Sequence, residues 1–400
     1  MLRAHKIRMF PTDSQVEVLK KACGVARFAY NWALAEWERL YSLKERTGEA
    51  VLRKALNACK REKFPWMMES TKCAPEQAIK NLGKAFSAFF ENVKLKRKVG
   101  KKNPYGYPQK HKKGKCKESF YVANDKAKIC GKEIFLPHCK EAFKLSEELR
   151  FSGKIMSYTI SLDVDRWYVS VSVDTDEVLT RTANRGCIGI DLGIKTLATF
   201  SDEITFKAKK FYGNAEKKLK RINRQLSRRT KGGKNRAKTK LKFARQHRKI
   251  RLARKDYLHR ITTFATTKYN EIVLEDLNVK GMLKNHRLAK AINNMGFGMF
   301  RTMIENKAKQ TSCVVTLADR YFPSSKMCCY CGAIKEDLTL KDRTYHCTKC
   351  HIVIDRDLNA AKNLEKLGVC CTSTLVDLTS DLEYSEQLKK KQEFFEPEDL

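Results

Sequence analysis

Two Cys-x-x-Cys pairs, Cys328/Cys331 and Cys347/Cys350, stand fifteen residues apart. Four thiolates at that spacing oblige the stretch to close on itself around one tetrahedral ion, and zinc is the metal such a set prefers. Gly332 follows the first pair, where a tight turn brings the sulfurs round. Four protein ligands fill the coordination shell, so this zinc is expected to be structural rather than catalytic. Cys329 inside the first pair, and His346 and His351 flanking the second, are the competing ligands. A single Cys-x-x-Cys reads as a redox pair, but two in one short segment favour metal. The chain has fifteen cysteines, an odd number with irregular spacing. That pattern does not suggest a disulfide framework and fits a reducing compartment. Cys59, Cys73 and Cys130 read as packed thiols.

Charge narrows the partner. Lys and Arg total 82 against 45 Asp and Glu, a net +37 on 400 residues. Disorder does not explain it, because 42% of residues are apolar and 20 are Phe. A folded chain so basic expects a polyanion, and nucleic acid is favoured over an anionic membrane surface. No apolar run reaches the ~18–20 residues of a membrane helix, and the first residues lack a secretory stretch. Neither a membrane nor a secreted protein is expected.

The charge is uneven. Between Lys207 and Lys255 the only acid is Glu216, while Leu219, Ile222 and Leu226, then Leu241 and Ala244, recur at helical spacing. A turn signal at residues 230–235 separates the two runs. Residues 207–255 therefore read as a basic helical hairpin, with Lys217, Lys218, Arg221, Arg224, Arg228 and Arg229 as candidate nucleic-acid contacts. After Cys371 acids dominate, and residues 368–400 read as a mobile acidic tail.

Along the chain, Lys6–Pro11 alternates as an opening strand. Thr12 to Ser14 offer caps for a helix whose apolar positions run Val16, Leu19, Cys23, Ala26, Tyr30, Leu34 and Trp37. Helical segments continue to about Val93, with Pro75 near a new helix start. Residues 94–118 are basic and rich in Gly and Pro. From Ser119 the period becomes two, with strands expected at Phe120, Ile134, Ile155–Val164 and Trp167–Val173. Asp165-Arg166 is the expected turn of the last hairpin, which explains Asp163 and Asp165 better than a paired-acid site does. A β domain, possible as a closed barrel with the opening strand, ends near Gly186.

Three acids then stand apart. Cys187-Ile-Gly-Ile-Asp191-Leu-Gly is an apolar strand ending in a carboxylate at a glycine turn. Glu271-Ile-Val-Leu-Glu275 is a second apolar strand ending in acid. Beyond the cysteines, Asp355-Arg-Asp357-Leu-Asn-Ala-Ala opens a helix that Asp357 is expected to cap, with Ala360, Ala361 and Leu364 as a small face for close packing. A carboxylate at a strand end is costly to bury unless it meets a cation. Asp191, Glu275 and Asp357 on separate elements are what a two-metal magnesium nuclease requires. No Ser/His or Cys/His arrangement and no Walker-type loop competes.

At these residues the sequence resembles the TnpB family of insertion-sequence proteins, relatives of the compact type V CRISPR effectors. Lys6-Ile-Arg-Met-Phe-Pro and Gly24 to Leu34 resemble its N-terminal signature. Gly189-Ile-Asp191-Leu-Gly, Val273-Leu-Glu275-Asp-Leu and Asp355-Arg-Asp357-Leu-Asn-Ala-Ala resemble its three RuvC motifs. Phe322–Met327 with the four cysteines resembles its zinc knuckle. The resemblance implies an α/β multidomain fold. Residues 1–11 and 115–185 would form a wedge-type β-barrel, and 12–114 a helical recognition insert with a basic linker. Residues 186–322 and 353–367 would form an RNase H-like RuvC nuclease domain, and 323–352 its inserted zinc knuckle. It implies a magnesium-dependent, RNA-guided DNA endonuclease of a transposable element, cutting beside a short adjacent motif. Asp191, Glu275 and Asp357 would be catalytic, with two Mg2+, one structural Zn2+ and a guide RNA from the transposon end as cofactors. Double-stranded target DNA would be the substrate. Lys72, Glu76 and Gln77 lie where the family faces the adjacent motif. The expected location is the cytoplasm and nucleoid of a prokaryote, or a nucleus for a eukaryotic or viral relative. The rivals are an RNase H-like transposase, a guide-dependent DNA-binding repressor without cleavage, and a zinc-bearing RNA-binding protein.

Overall fold

A computed structural model describes residues 1–95, 106–176, 185–339 and 342–368. The acidic tail beyond Gly368, and residues 96–105 of the basic connection, lie outside the described residues. The chain divides into two compact units, Met1–Glu177 and Val178–Leu400.

The first unit opens with β1 (Leu2–Phe10) and α1 (Asp13–Ser42), then α2 (Glu49–Lys63) and α3 (Cys73–Lys94). Thr12 caps α1 in a capping box with Gln15, satisfying two backbone N–H groups that a helix start leaves open. The six strands that follow are β2 (Ser119–Ala123), β3 (Lys128–Cys130), β4 (Glu133–Phe135), β5 (Phe143–Leu145), β6 (Lys154–Asp163) and β7 (Arg166–Asp174). With β1 they make a seven-stranded antiparallel sheet in the order β2-β6-β7-β1-β5-β4-β3. Among the described residues no ladder joins its outer strands, β2 and β3. The β6–β7 turn sits one residue earlier than expected: Asp163 pairs with Arg166, leaving Val164 and Asp165 at the tip. Val164 takes φ 65°, an uncommon conformation for a β-branched residue. Alternate residues Val169, Val171 and Val173 are fully buried, and join Leu19, Leu34, Ile79 and Leu82 of the helices in one core. Trp37 of α1 stacks on Phe86 of α3 at 4.0 Å.

The second unit begins with β8 (Arg185–Asp191), β9 (Thr196–Phe200) and β10 (Thr205–Lys207). Next come α4 (Phe211–Arg228), α5 (Lys234–Lys268) and β11 (Tyr269–Glu275). Then follow α6 (Val279–Met282), α7 (Ala289–Met295), α8 (Phe297–Thr311) and β12 (Val314–Ala318). A short antiparallel pair, β13 (Thr344–His346) and β14 (Val353–Asp355), precedes α9 (Arg356–Glu365). The sheet order is β10-β9-β8-β11-β12, with β8, β11 and β12 parallel and β9 and β10 antiparallel. Strand periodicity splits its residues between two faces. Ile188, Ile190, Ile272 and Leu274 pack on one side with Leu258 and Ile261 of α5 and Phe300 and Ile304 of α8. Cys187 and Val273 point to the other side, where they meet Leu364 of α9. The next residues in phase with that second face are Gly189 and Asp191 on β8, and Glu275 on β11.

The hairpin α4/α5 matches the expected residues 207–255 in its first part, and α5 then runs on to Lys268 as a wall of the core. No helix among the described residues is long and apolar enough to cross a membrane.

Candidate functional site

Parallel β8 and β11 pair Ile190 with Leu274. Asp191 and Glu275 are the terminal residues of these neighbouring strands, so their carboxylates leave the sheet side by side. The third acid comes from α9, which lies antiparallel to β8. The Cys187 thiol reaches the Glu365 carbonyl at 3.5 Å. Gly189 faces Ala361 one helical turn earlier. One turn earlier again is Asp357, level with Asp191. Four helical residues rise ~6 Å and two strand residues ~6.6 Å, so the two elements stay in step.

Gly189 makes this packing possible. A Cβ there would sit 1.9 Å from the Ala361 carbonyl oxygen and 2.5 Å from the Glu365 nitrogen. Gly189→Ala is therefore expected to cost more than about 3 kcal/mol in denaturant unfolding, since helix backbone, not a flexible side chain, must move. Cleavage, where assayed, should fall with it, because α9 carries Asp357.

Asp355, not Asp357, caps α9. Its carboxylate accepts from the Asp357 and Leu358 N–H groups at 2.9 and 3.1 Å. The cap that was expected of Asp357 is thus supplied two residues earlier, and Asp357 is left to face the strand ends. Arg343 approaches its Oδ1 at 3.9 Å. Desolvation, and then the negative fields of Glu275 and Asp357, push the Asp191 carboxyl well above the ordinary carboxylate range. Burial and the charge of Asp355 raise Asp357 as well, against the fields of Arg343, Arg356 and Lys195. Glu275 accepts a hydrogen bond from the Ser324 hydroxyl. With Glu275 and Asp357 opposing the ionisation of Asp191, the three carboxylates form a hard-oxygen donor set that a magnesium ion would relieve. They are not gathered as tightly as the sulfurs described next, which among the described residues form the one group close enough to be a ready metal cage.

The four cysteines converge. Their Sγ atoms all lie within 4.8 Å of one another, with Cys328–Cys350 at 3.6 Å and Cys331–Cys347 at 3.5 Å. Zinc–sulfur bonds of ~2.3 Å in a tetrahedron place sulfurs ~3.8 Å apart, so the set fits zinc. Gly332 has φ 72°, the left-handed turn that the first pair needs. Backbone N–H groups of Cys350 and Lys349 donate to the Cys347 sulfur and hold its thiol down to about 6. Cys329, His346 and His351 stay outside the quartet.

The proposed nucleic-acid contacts separate. Lys217, Lys218, Arg221, Arg224 and Arg228 are exposed on α4, whose opposite side buries Ala215, Leu219 and Ile222. Arg229 differs: it is half-buried and donates to the Asn235 carbonyl, closing the hairpin turn. Lys72 and Glu76 line one cavity of about 270 Å³ with Arg53, Asn57 and Lys60. Glu76 is held there by Arg53 at 2.7 Å and Lys80 at 3.3 Å. Gln77 lines a different cavity, of about 230 Å³, beside Arg27 and Tyr30.

Sequence reasoning passed over Ser324, Asn359 and Asn363. The two asparagines are buried in the middle of α9, and their amides bond to main-chain groups of the first cysteine pair and the loop before it. Two asparagines four residues apart inside a helix, where Asn is a poor former, are the signal that was available.

Comparison with known proteins adds the family. A family described as "Probable transposase" matches residues 168–286, "Cas12f1-like, TNB domain" matches 297–364, and "Helix-turn-helix domain" matches 1–46. Residues 1–46 hold β1 and the single helix α1 rather than two helices. A Streptomyces pristinaespiralis protein named as an RNA-guided DNA endonuclease is 31% identical over 376 residues, covering 93% of this chain and 90% of its own. Escherichia coli (strain K12) InsQ, which carries the same description, is 26% identical over 388 residues, covering 92% of each. The solved mini-RNA-guided endonuclease CRISPR-Cas phi3 covers 92% of each chain with a TM-score of 0.50 at 10% identity, a likeness of fold alone. With a matching Cas12f1-like TNB segment around the four cysteines and similarity along nearly its whole length to its relatives, this chain belongs to the TnpB family of insertion-sequence proteins.

Proposed function

We propose that this chain is the RNA-guided DNA endonuclease of a transposable element, hydrolysing DNA phosphodiesters in a RuvC-like site that depends on magnesium. The observation that carries the reading is the convergence of Asp191, Glu275 and Asp357 at one end of the sheet in the second unit. The sheet order, with β9 running opposite to the other four strands, supports an RNase H-like assignment. The names of the relatives support RNA guidance and DNA as the substrate.

Asp191, Glu275 and Asp357 would hold the magnesium. When bound, the metal would supply charge neutralisation at the scissile phosphate and a more acidic water. Asp191 offers a desolvated carboxylate whose charge is opposed by Glu275 and Asp357 and only partly relieved by the field of Arg356 and the Leu192 N–H. Arg343 beside Asp357 steadies that carboxylate and adds positive potential where a phosphate would arrive. The exposed basic face of α4 would track the phosphates of guide or heteroduplex, leaving sequence to base pairing. Lys72 and Glu76 in their shared cavity are the proposed readers of the adjacent motif, and a glutamate favours a cytosine amino group. The cysteine quartet would hold a structural zinc.

Sequencing the RNA that co-purifies with the protein, expressed with its native flanking DNA, tests the reading. One abundant species ending at the element boundary is expected. The triple change Arg221→Glu, Arg224→Glu, Arg228→Glu should remove most of it. Heterogeneous or absent RNA would count against guidance and favour a nuclease or transposase acting on DNA directly.

A further inference from the structure

One short loop touches both the acid cluster and the cysteine module. Residues 322–327 run from just beyond β12 into the first cysteine pair, wound tightly by the Lys326 and Met327 N–H groups on the Pro323 carbonyl. Ser324 in this loop is 2% exposed. Its hydroxyl donates to Glu275 Oε1. Its carbonyl accepts from Asn363 Nδ2 at 2.8 Å. Asn363 Nδ2 also reaches the Met327 carbonyl at 2.6 Å, and Asn359 Nδ2 reaches the same oxygen at 2.7 Å. The Cys329 N–H donates to Asn359 Oδ1 at 2.9 Å, and Lys366 donates to the Cys329 carbonyl. The helix making these bonds carries Asp357.

Glu275 and Asp357 arise 82 positions apart in sequence, and no direct hydrogen bond is recorded between them. Ser324 spans the gap, with its side chain on one acid and its main chain on the helix of the other. Buried asparagines in a helix interior cost stability unless their amides are spent on defined partners. Here the two amide nitrogens are spent on the main chain of this one loop and Asn359 Oδ1 on the Cys329 N–H, while Asn363 Oδ1 is buried without a hydrogen-bond partner among the described residues.

We propose that Ser324 is a positioning residue for Glu275, and that Asn363 is its anchor to α9, so that the cysteine module sets the separation of two metal-binding carboxylates. A serine hydroxyl on one carboxylate oxygen fixes the rotation of the group and leaves the other oxygen directed at the cation. The inference rests on the reading of the three acids as the magnesium site. Loss of such outer partners typically weakens metal affinity by about 10–100-fold.

The test uses the full chain with zinc bound. Mn2+ binding is followed by electron paramagnetic resonance without RNA, and the Mg2+ dependence of DNA cleavage is followed with the guide RNA. Ser324→Ala keeps the carbonyl that holds Asn363 and removes only the hydroxyl. It should bind Mn2+ at least about tenfold more weakly and need about tenfold more Mg2+ for half-maximal cleavage, the deficit shrinking as Mg2+ is raised. Zinc content and melting temperature should match the parent. Ser324→Thr, which retains the hydroxyl, should recover most of the affinity. Unchanged Mn2+ affinity in Ser324→Ala would overturn the proposal. So would a loss of zinc or of folding that accounts for the whole effect. If the unaltered protein cleaves no DNA at any Mg2+ concentration, the endonuclease reading fails instead, while the Mn2+ titration still judges Ser324.

Discussion

Asp191→Asn should abolish DNA cleavage, by about a thousandfold or more, and at the same time make the metal-free protein more stable. The two effects have one cause. Asp191 ends a buried strand, its carboxyl is desolvated, and it faces Glu275 and Asp357. On the proposed reading a bound cation would make that cluster catalytic, and without one the buried Asp191 carboxylate strains the fold. Because folding raises the carboxyl's pKa above its unfolded value near ~4, the folded state holds its proton more tightly than the unfolded chain does. Stability is therefore undiminished below the unfolded pKa. It falls as pH rises from there to the folded pKa, and the loss is complete above it. Asparagine has no proton to lose. The variant's advantage in melting temperature should be absent near pH 4, appear as pH rises, and amount to roughly a few degrees at neutral pH. Magnesium should stabilise the parent and leave the variant unmoved. Thermal melts at several pH values, with and without magnesium, check all of this. A variant less stable than the parent at pH 7 in the absence of metal would contradict the picture of an Asp191 carboxylate opposed by Glu275 and Asp357.

Cys347→Ser should remove the zinc and, with it, cleavage. Four sulfurs within 4.8 Å of one another, two pairs of them at 3.5 and 3.6 Å, are spaced for one ion. Binding by such a site is worth on the order of 10 kcal/mol of folding free energy in isolated zinc modules. The apolar core of this module is small, built on Tyr345 with Cys328 and Cys347. Without the ion the loop that bears Ser324 loses its support, and α9 loses the partners of Asn359, Asn363 and Lys366. Expected results are one zinc per chain in the parent and none in the variant, faster amide exchange through residues 327–354, and cleavage reduced by about a hundredfold or more. Cys329→Ser is the control. Its sulfur lies outside the quartet, so zinc content should stay at one.

Several residues of the candidate site were legible in the sequence because each is marked by local chemistry. An apolar strand that ends in an acid at a glycine turn marks Asp191, and the cysteine spacing marks the quartet. Thr12 announced the start of α1, and Val169, Val171 and Val173 announced a buried face by alternation. The misread positions depended on partners distant in sequence or on a choice between near neighbours. Asp355 and Asp357 are equivalent candidates for a cap, and only the lie of α9 on β8 assigns one to the helix end and the other to the site. Gly189 looks like an ordinary strand glycine until Ala361 and Glu365 are packed against it. Ser324 finds Glu275 across 49 positions and Asn363 across 39, which no local pattern encodes. Arg229 looked like its basic neighbours, but its place at the end of α4 commits it to the hairpin turn.

The most direct measurement is cleavage of a plasmid by the purified chain loaded with RNA transcribed from its own flanking DNA. Two plasmids would be compared in magnesium, one carrying a sequence that matches the guide beside candidate adjacent motifs and one carrying a scrambled sequence. Double-strand cutting of the matched plasmid alone, lost in chelator and in Asp191→Asn, is the expected result. Equal cutting of both plasmids, or cutting of the matched plasmid that survives Asp191→Asn, would contradict an RNA-guided nuclease built on these three acids.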